Sequence, residues 1–129
     1  MKIIDMSEMA TVSSNNIIRT HSVNGCNVCV MVGEKSIFMQ HTISAEFEKI
    51  TNFWESKAKE LNTKELTLYV AVEEDEKIEQ VEIPILFKKY LSTNLKLNIV
   101  YYLMNTKVFN ENYIEVSKNQ VKTDLKILN

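Results

Sequence analysis

Cys26-Asn27-Val28-Cys29-Val30-Met31-Val32 and Ser36-Ile37-Phe38-Met39-Gln40-His41-Thr42 are two apolar, β-prone runs with Gly33-Glu34-Lys35 between them. Gly33-Glu34 reads as a two-residue connection with glycine first, as a type II′ hairpin turn requires. If Val32 pairs with Lys35 across it, Val30 meets Ile37, Val28 meets Met39 and Cys26 meets His41. Directly opposed side chains leave the same face with Cβ atoms roughly 4.5–5.5 Å apart. That spacing lets an imidazole take the proton of a thiol, and a neighbouring histidine favours the thiolate in a thiolate–imidazolium pair. Slipping the register by one residue would send the two side chains to opposite faces.

Outward from the hairpin, the elements come in a mixed order. Residues 1–10 read as a loose lead-in. Thr11–Ser14 and Ile17–Val23 are short β-prone runs divided by Asn15-Asn16, a pair that tolerates the positive φ of a turn. Asn24-Gly25 signals a sharp bend just before Cys26. Ser44 suits a helix N-cap, and Phe47, Ile50, Trp54, Ala58 and Leu61 recur at the helical period behind it. Leu66–Val72 and Leu95–Met104 have the unbroken apolar character of strands covered on both faces. Ile78–Ile83 alternates like an edge strand, and Pro84 fits the first turn of a short helix to Leu91. Tyr113–Val116 reads as one more strand, and 117–129 shows no period. Strands, helix, strand, short helix and strand in one chain of 129 residues predict an α/β or α+β sandwich over a single domain, 1–129.

Composition narrows the function classes. Apolar residues make up 45% and charged residues 25%, as in soluble globular proteins. The net charge is −2, and Arg19 is the one arginine among the 15 basic residues. Without arginine's bidentate fork, recognition of phosphates and guanine edges is not expected, so nucleic acid is excluded as a partner. No apolar run reaches the roughly 20 residues of a membrane span. Met1-Lys2-Ile3-Ile4-Asp5-Met6 is no secretory signal, which places the chain in a cytoplasm or on an export route that needs no cleavable signal. The acidic run Glu73-Glu74-Asp75-Glu76 reads as a solvated loop.

The chemistry rests on few residues. Cys26 is the candidate nucleophile and His41 its base. The Asn24-Gly25 bend offers backbone amides to a developing oxyanion. Cys29 completes a C-x-x-C, but residues three apart on a strand face opposite ways, so redox or zinc chemistry would require both cysteines on a bend. His21 is assigned to the surface, and Gln40 faces away from His41. No carboxylate lies nearby in sequence, which leaves a distant acid, a hydroxyl such as Thr20 or a backbone carbonyl to complete a triad.

The segment from Val23-Asn24-Gly25-Cys26 through Ser36-Ile37-Phe38-Met39-Gln40-His41-Thr42 resembles the active-site core of the glutamine-deamidase toxins related to cytotoxic necrotizing factor. Those carry Leu-Ser-Gly-Cys at a strand start and a catalytic histidine, often followed by threonine, on the next strand; Val23-Asn24 stand here in place of Leu-Ser. Similar Cys–His strand pairs occur in the chemoreceptor deamidase CheD and in a Burkholderia lethal factor, whose site includes a threonine at the offset of Thr20. The resemblance implies a mixed β-sandwich flanked by helices and hydrolysis of a glutamine side-chain amide in a protein substrate by a monomeric bacterial toxin or effector. It also implies Cys26 as nucleophile, His41 as acid and base, Thr20 as the supporting residue, and no metal or organic cofactor. Two other readings stand beside it. One is an amidohydrolase or acyl transferase of the same fold acting on asparagine or a small amide; the other is a non-catalytic interaction module.

Overall fold

A computed structural model describes residues 1–42, 46–104 and 111–129. Its elements are β1 (Lys2–Ile4), β2 (Met9–Ser13), β3 (Ile18–Thr20), β4 (Asn27–Val32), β5 (Ser36–Thr42), α1 (Phe47–Leu61), β6 (Glu65–Val72), a 3₁₀ turn (Ile78–Gln80), α2 (Ile83–Tyr90), β7 (Lys96–Leu103), β8 (Ile114–Ser117) and β9 (Gln120–Thr123). They build an α+β protein with two mixed sheets. One has four strands in the order β1-β3-β8-β9 and the other five in the order β2-β5-β4-β6-β7. Parallel pairs, β1 with β3 and β6 with β7, sit in otherwise antiparallel sheets.

The β4–β5 hairpin is present, with a different turn. Val32 pairs with Ile37, Val30 with Met39 and Val28 with His41. Gly33 N donates to Ser36 O at 2.9 Å, so Glu34-Lys35 form the tip. Gly33 does not have the positive φ of a type II′ turn; among the described glycines only Gly25 does, at +87°. Gly33 is needed for another reason: a Cβ there would overlap the carbonyl oxygen of Leu61 at the end of α1. The turn is thus displaced by one residue, and each partner on β5 moves by two. A shift of two keeps every side chain on its expected face but replaces the expected Cys26–His41 opposition with Val28–His41.

Alternation along this hairpin feeds two cores. Val28, Val30, Ile37 and Met39 join Ile4, Ile18, Ile114 and Val116 in a cluster drawn from both sheets. Cys29, Met31 and Phe38 point the other way and join Trp54, Ala58, Leu61 and Phe87 of the helices, with Leu66 and Leu68 of β6. Because both faces of β4 are covered, its sequence reads as an unbroken apolar run. The helices carry the period expected of them. Trp54, Ala58 and Leu61 are buried on α1, and Asn62 closes it in a left-handed conformation while Thr63 N reaches back to Ala58 O. Pro84 lies in the first turn of α2, where its missing amide is harmless.

Four expectations are corrected. The lead-in is ordered as β1 and β2, short strands held by Ile18–Thr20 and by β5. Ile78–Ile83 is not a strand but the 3₁₀ turn and the start of α2. The uncalled C-terminal stretch contains β9, which pairs with β8. Asn16 N closes its turn onto Ser13 O at 2.8 Å without a positive φ at either asparagine. The Ser44 N-cap falls outside the described residues. No helix among the described residues is long and apolar enough to cross a membrane.

The packing at Gly33 makes a direct prediction. Gly33→Ala should lower the urea midpoint by the equivalent of about 1–3 kcal/mol at unchanged slope, the cost of forcing a methyl group into a filled contact. An unchanged midpoint would show that the α1 terminus yields freely.

Candidate functional site

Thr20 ends β3 between two neighbours, Ile4 of β1 and Ile114 of β8. Its hydroxyl donates to Ile4 O at 2.9 Å and lies 2.7 Å from Nδ1 of His41 on the other sheet. Both side chains are completely buried. A hydroxyl has one proton to give, and Ile4 O takes it, so the Thr20 oxygen accepts from Nδ1–H. The imidazole is therefore held in the tautomer that leaves a lone pair on Nε2. That nitrogen is buried and has no hydrogen-bond partner among the described residues.

The segment between β1 and β2 is bonded to the His41 backbone. Ser7 N donates to His41 O at 2.8 Å, and His41 N donates to Glu8 O at 3.0 Å. Ser7 takes a positive φ of 68° to make this bend. Burial pushes the His41 pKa below the ordinary imidazole value, with the Asp5 carboxylate opposing it.

Cys26 precedes β4 by one residue and is 6% exposed. Its Sγ lies 3.8 Å from the thioether sulfur of Met6, in the segment that also bonds to the His41 backbone. Burial pushes the thiol pKa up, and a backbone hydrogen bond from Asn24 partly offsets this. Both shifts favour the neutral thiol and the neutral imidazole over the expected thiolate–imidazolium pair. The Cys26 backbone is pinned by Tyr102 of β7, whose hydroxyl donates to Cys26 O at 2.6 Å and accepts from Gly25 N at 3.2 Å. One of the two bend amides expected to face an oxyanion is therefore directed at Tyr102.

The structure brings Thr20 to His41 and sets Cys26 two residues before Val28, the residue opposite His41. No hydrogen bond joins the thiol to the imidazole. The cause is the displaced turn, which moves Cys26 from the opposed to a diagonal position. Cys29 lies with the helices on the other face, fully buried, and both cysteines are free. Gln40 also faces the helices and accepts from Trp54 Nε1 at 2.7 Å. His21 belongs to a separate half-buried group, where its Nε2 accepts from Arg19 Nε at 3.2 Å. Arg19 pairs there with Glu111 and Glu115 and stacks 3.8 Å from the Tyr113 ring centre. No three metal-ligating side chains converge among the described residues.

Tyr102 is the residue that pattern reading passes over. Its signal is faint: a phenol in an aliphatic buried strand must find a polar partner, and here it finds two. No protein-family model matches the chain, and no curated protein matches it in sequence.

The lowered His41 pKa makes stability depend on pH. Between the folded value and the unfolded value of about 6.5, the unfolded chain binds more protons, so stability falls as pH falls through this window. Urea midpoints measured from pH 7 to pH 5 should decline in the wild type, and His41→Gln should remove part of that decline. Parallel pH dependences in the two proteins would contradict a buried neutral imidazole.

Proposed function

We propose that this protein is a cysteine hydrolase of the glutamine-deamidase kind, with Cys26 as nucleophile, His41 as general base and acid, and Thr20 as the residue that positions His41. The supporting observation is the buried imidazole held through Nδ1 by Thr20 with its Nε2 lone pair unpartnered. Leaving such an atom unsatisfied costs about 1–3 kcal/mol in a fold that fills the rest of this interface with aliphatic side chains. A general base requires this arrangement: an oriented ring, a fixed tautomer and an available lone pair. A core shared by both sheets, with helices on the far face of the larger one, supports reading the fold as a helix-flanked β-sandwich of that family. The choice of a glutamine carboxamide on a protein partner, and of a toxin or effector, rests on the resemblance of 23–42.

The steps follow from these positions. Side-chain rotation takes Cys26 Sγ from Met6 toward His41. Nε2 removes the thiol proton as sulfur attacks the carboxamide carbon. The tetrahedral intermediate collapses with cleavage of the C–N bond, and Nε2–H gives its proton to nitrogen, which leaves as ammonia. Water then attacks the thioester while Nε2 takes a proton, and collapse releases glutamate and restores the thiol.

A second reading has its own support. Cys26 is covered by Met6 and makes no bond to His41, as expected of a non-catalytic interaction module retaining the fold. Ammonia release and glutamine-to-glutamate mass change, assayed on a proteome extract, separate the two. Cys26→Ala should abolish release, and His41→Ala should reduce it on the order of 10²–10⁴-fold. Cys29→Ala should leave it intact. Release that survives Cys26→Ala, or no release together with a Cys26 inert to a glutamine-like electrophile, would overturn the enzyme reading.

A further inference from the structure

Beside Gly25 and Asn27 the chain forms a cleft of about 420 Å³, walled by Glu73, Glu76, Glu82 and Met104. Among the described residues no basic side chain lines it. Its polar side chains are three carboxylates and the amides of Asn27 and Gln80, and the Gln80 oxygen already accepts from Lys77 N at 3.3 Å. Asn27 opens β4, is 6% exposed, and its Oδ1 is buried without a hydrogen-bond partner among the described residues. The Glu73–Glu76 turn is held by its own bonds, Glu73 N donating to Glu76 Oε1 at 3.2 Å and Glu76 N to Glu73 O at 3.0 Å.

We infer that this cleft receives an arginine side chain of a partner protein. Three carboxylates and an unpartnered amide oxygen in one lining favour a ligand that is cationic and rich in N–H donors. The carboxylates do not converge as a metal site among the described residues, so the cation must be broad. A guanidinium is planar, carries five donors in a fixed fork and can meet the Asn27 oxygen and a carboxylate together. Its methylene stem has Met104 to lie against. A lysine ammonium offers three donors from one point and leaves more of the acceptors unmet.

Gly25 lies beside Cys26 in the chain, so an arginine held here brings its neighbouring residues toward the thiol. That consequence rests on the proposed function; binding in the cleft does not. The test is a titration of the full chain with Nα-acetyl-arginine methylamide, followed in the backbone ¹H–¹⁵N spectrum, with the uncharged citrulline analogue and the lysine analogue in parallel. Saturable shifts should centre on Gly25, Asn27 and residues 73–82, weaken with salt, and be strongest for arginine. Glu82→Gln, an exposed change, and Asn27→Leu, which keeps the volume and deletes the acceptor, should each weaken binding by about tenfold while leaving the spectrum folded. Citrulline or lysine binding as tightly as arginine, shifts spread over unrelated carboxylates, or unchanged affinity in the folded variants would overturn the inference. Because the readout is binding, an absence of deamidase activity leaves this result standing on its own.

Discussion

The hydrogen bond between Thr20 and His41 is the constraint around which the rest is arranged. It joins the two sheets through the middle of an aliphatic interface that includes Ile4, Ile18, Val28, Ile37, Met39 and Ile114. A polar ring in such surroundings is unfavourable unless its nitrogens are bonded. Thr20 satisfies one of them and is itself anchored by the Ile4 carbonyl, so the short parallel pair β1–β3 determines the ring's tautomer. Loss of β1 would therefore disturb His41 on the opposite sheet, which makes the first few residues part of the site.

Around this bond the chain sets two further positions. Tyr102 holds Gly25 and Cys26 by donating to one and accepting from the other, which fixes the backbone of the candidate nucleophile from β7. The segment that carries Met6 covers the thiol and, through Ser7 and Glu8, grips the His41 backbone. Burial favours the neutral form of both the thiol and the imidazole. The proposed chemistry would thus depend on proton transfer during attack and on a rotation of Cys26, in contrast to sites that store a preformed thiolate.

Much of the fold was legible because long elements declare their period. The β4 and β5 strands, α1 and β6 each have enough buried positions for alternation or helical spacing to stand out, whereas β7, an edge strand that buries only Tyr102, stands out by its apolar run. The short strands β1 and β9 were not legible, since β1 buries one residue and β9 none, and β2 was legible only in part, as the β-prone run Thr11–Ser14. The hairpin register failed at a single residue. Gly33 was read for its conformational freedom, whereas its missing side chain makes room for the end of α1. The face of His41 survived that error because strands have a period of two. Thr20 stood out through an offset in a resembling family and not through its own surroundings, and Tyr102 and Asn27 owe their roles to contacts between distant strands and loops that no local pattern encodes.

The central claim is that His41 is a neutral, oriented base with Nδ1 protonated and Nε2 bare. The most direct test is the long-range ¹H–¹⁵N spectrum of the His41 imidazole in the native chain at neutral pH, assigned by comparison with His21→Gln. The account predicts a protonated Nδ1 and an unprotonated Nε2, with that preference lost in Thr20→Val. A proton on Nε2, or a ring protonated on both nitrogens, would contradict it.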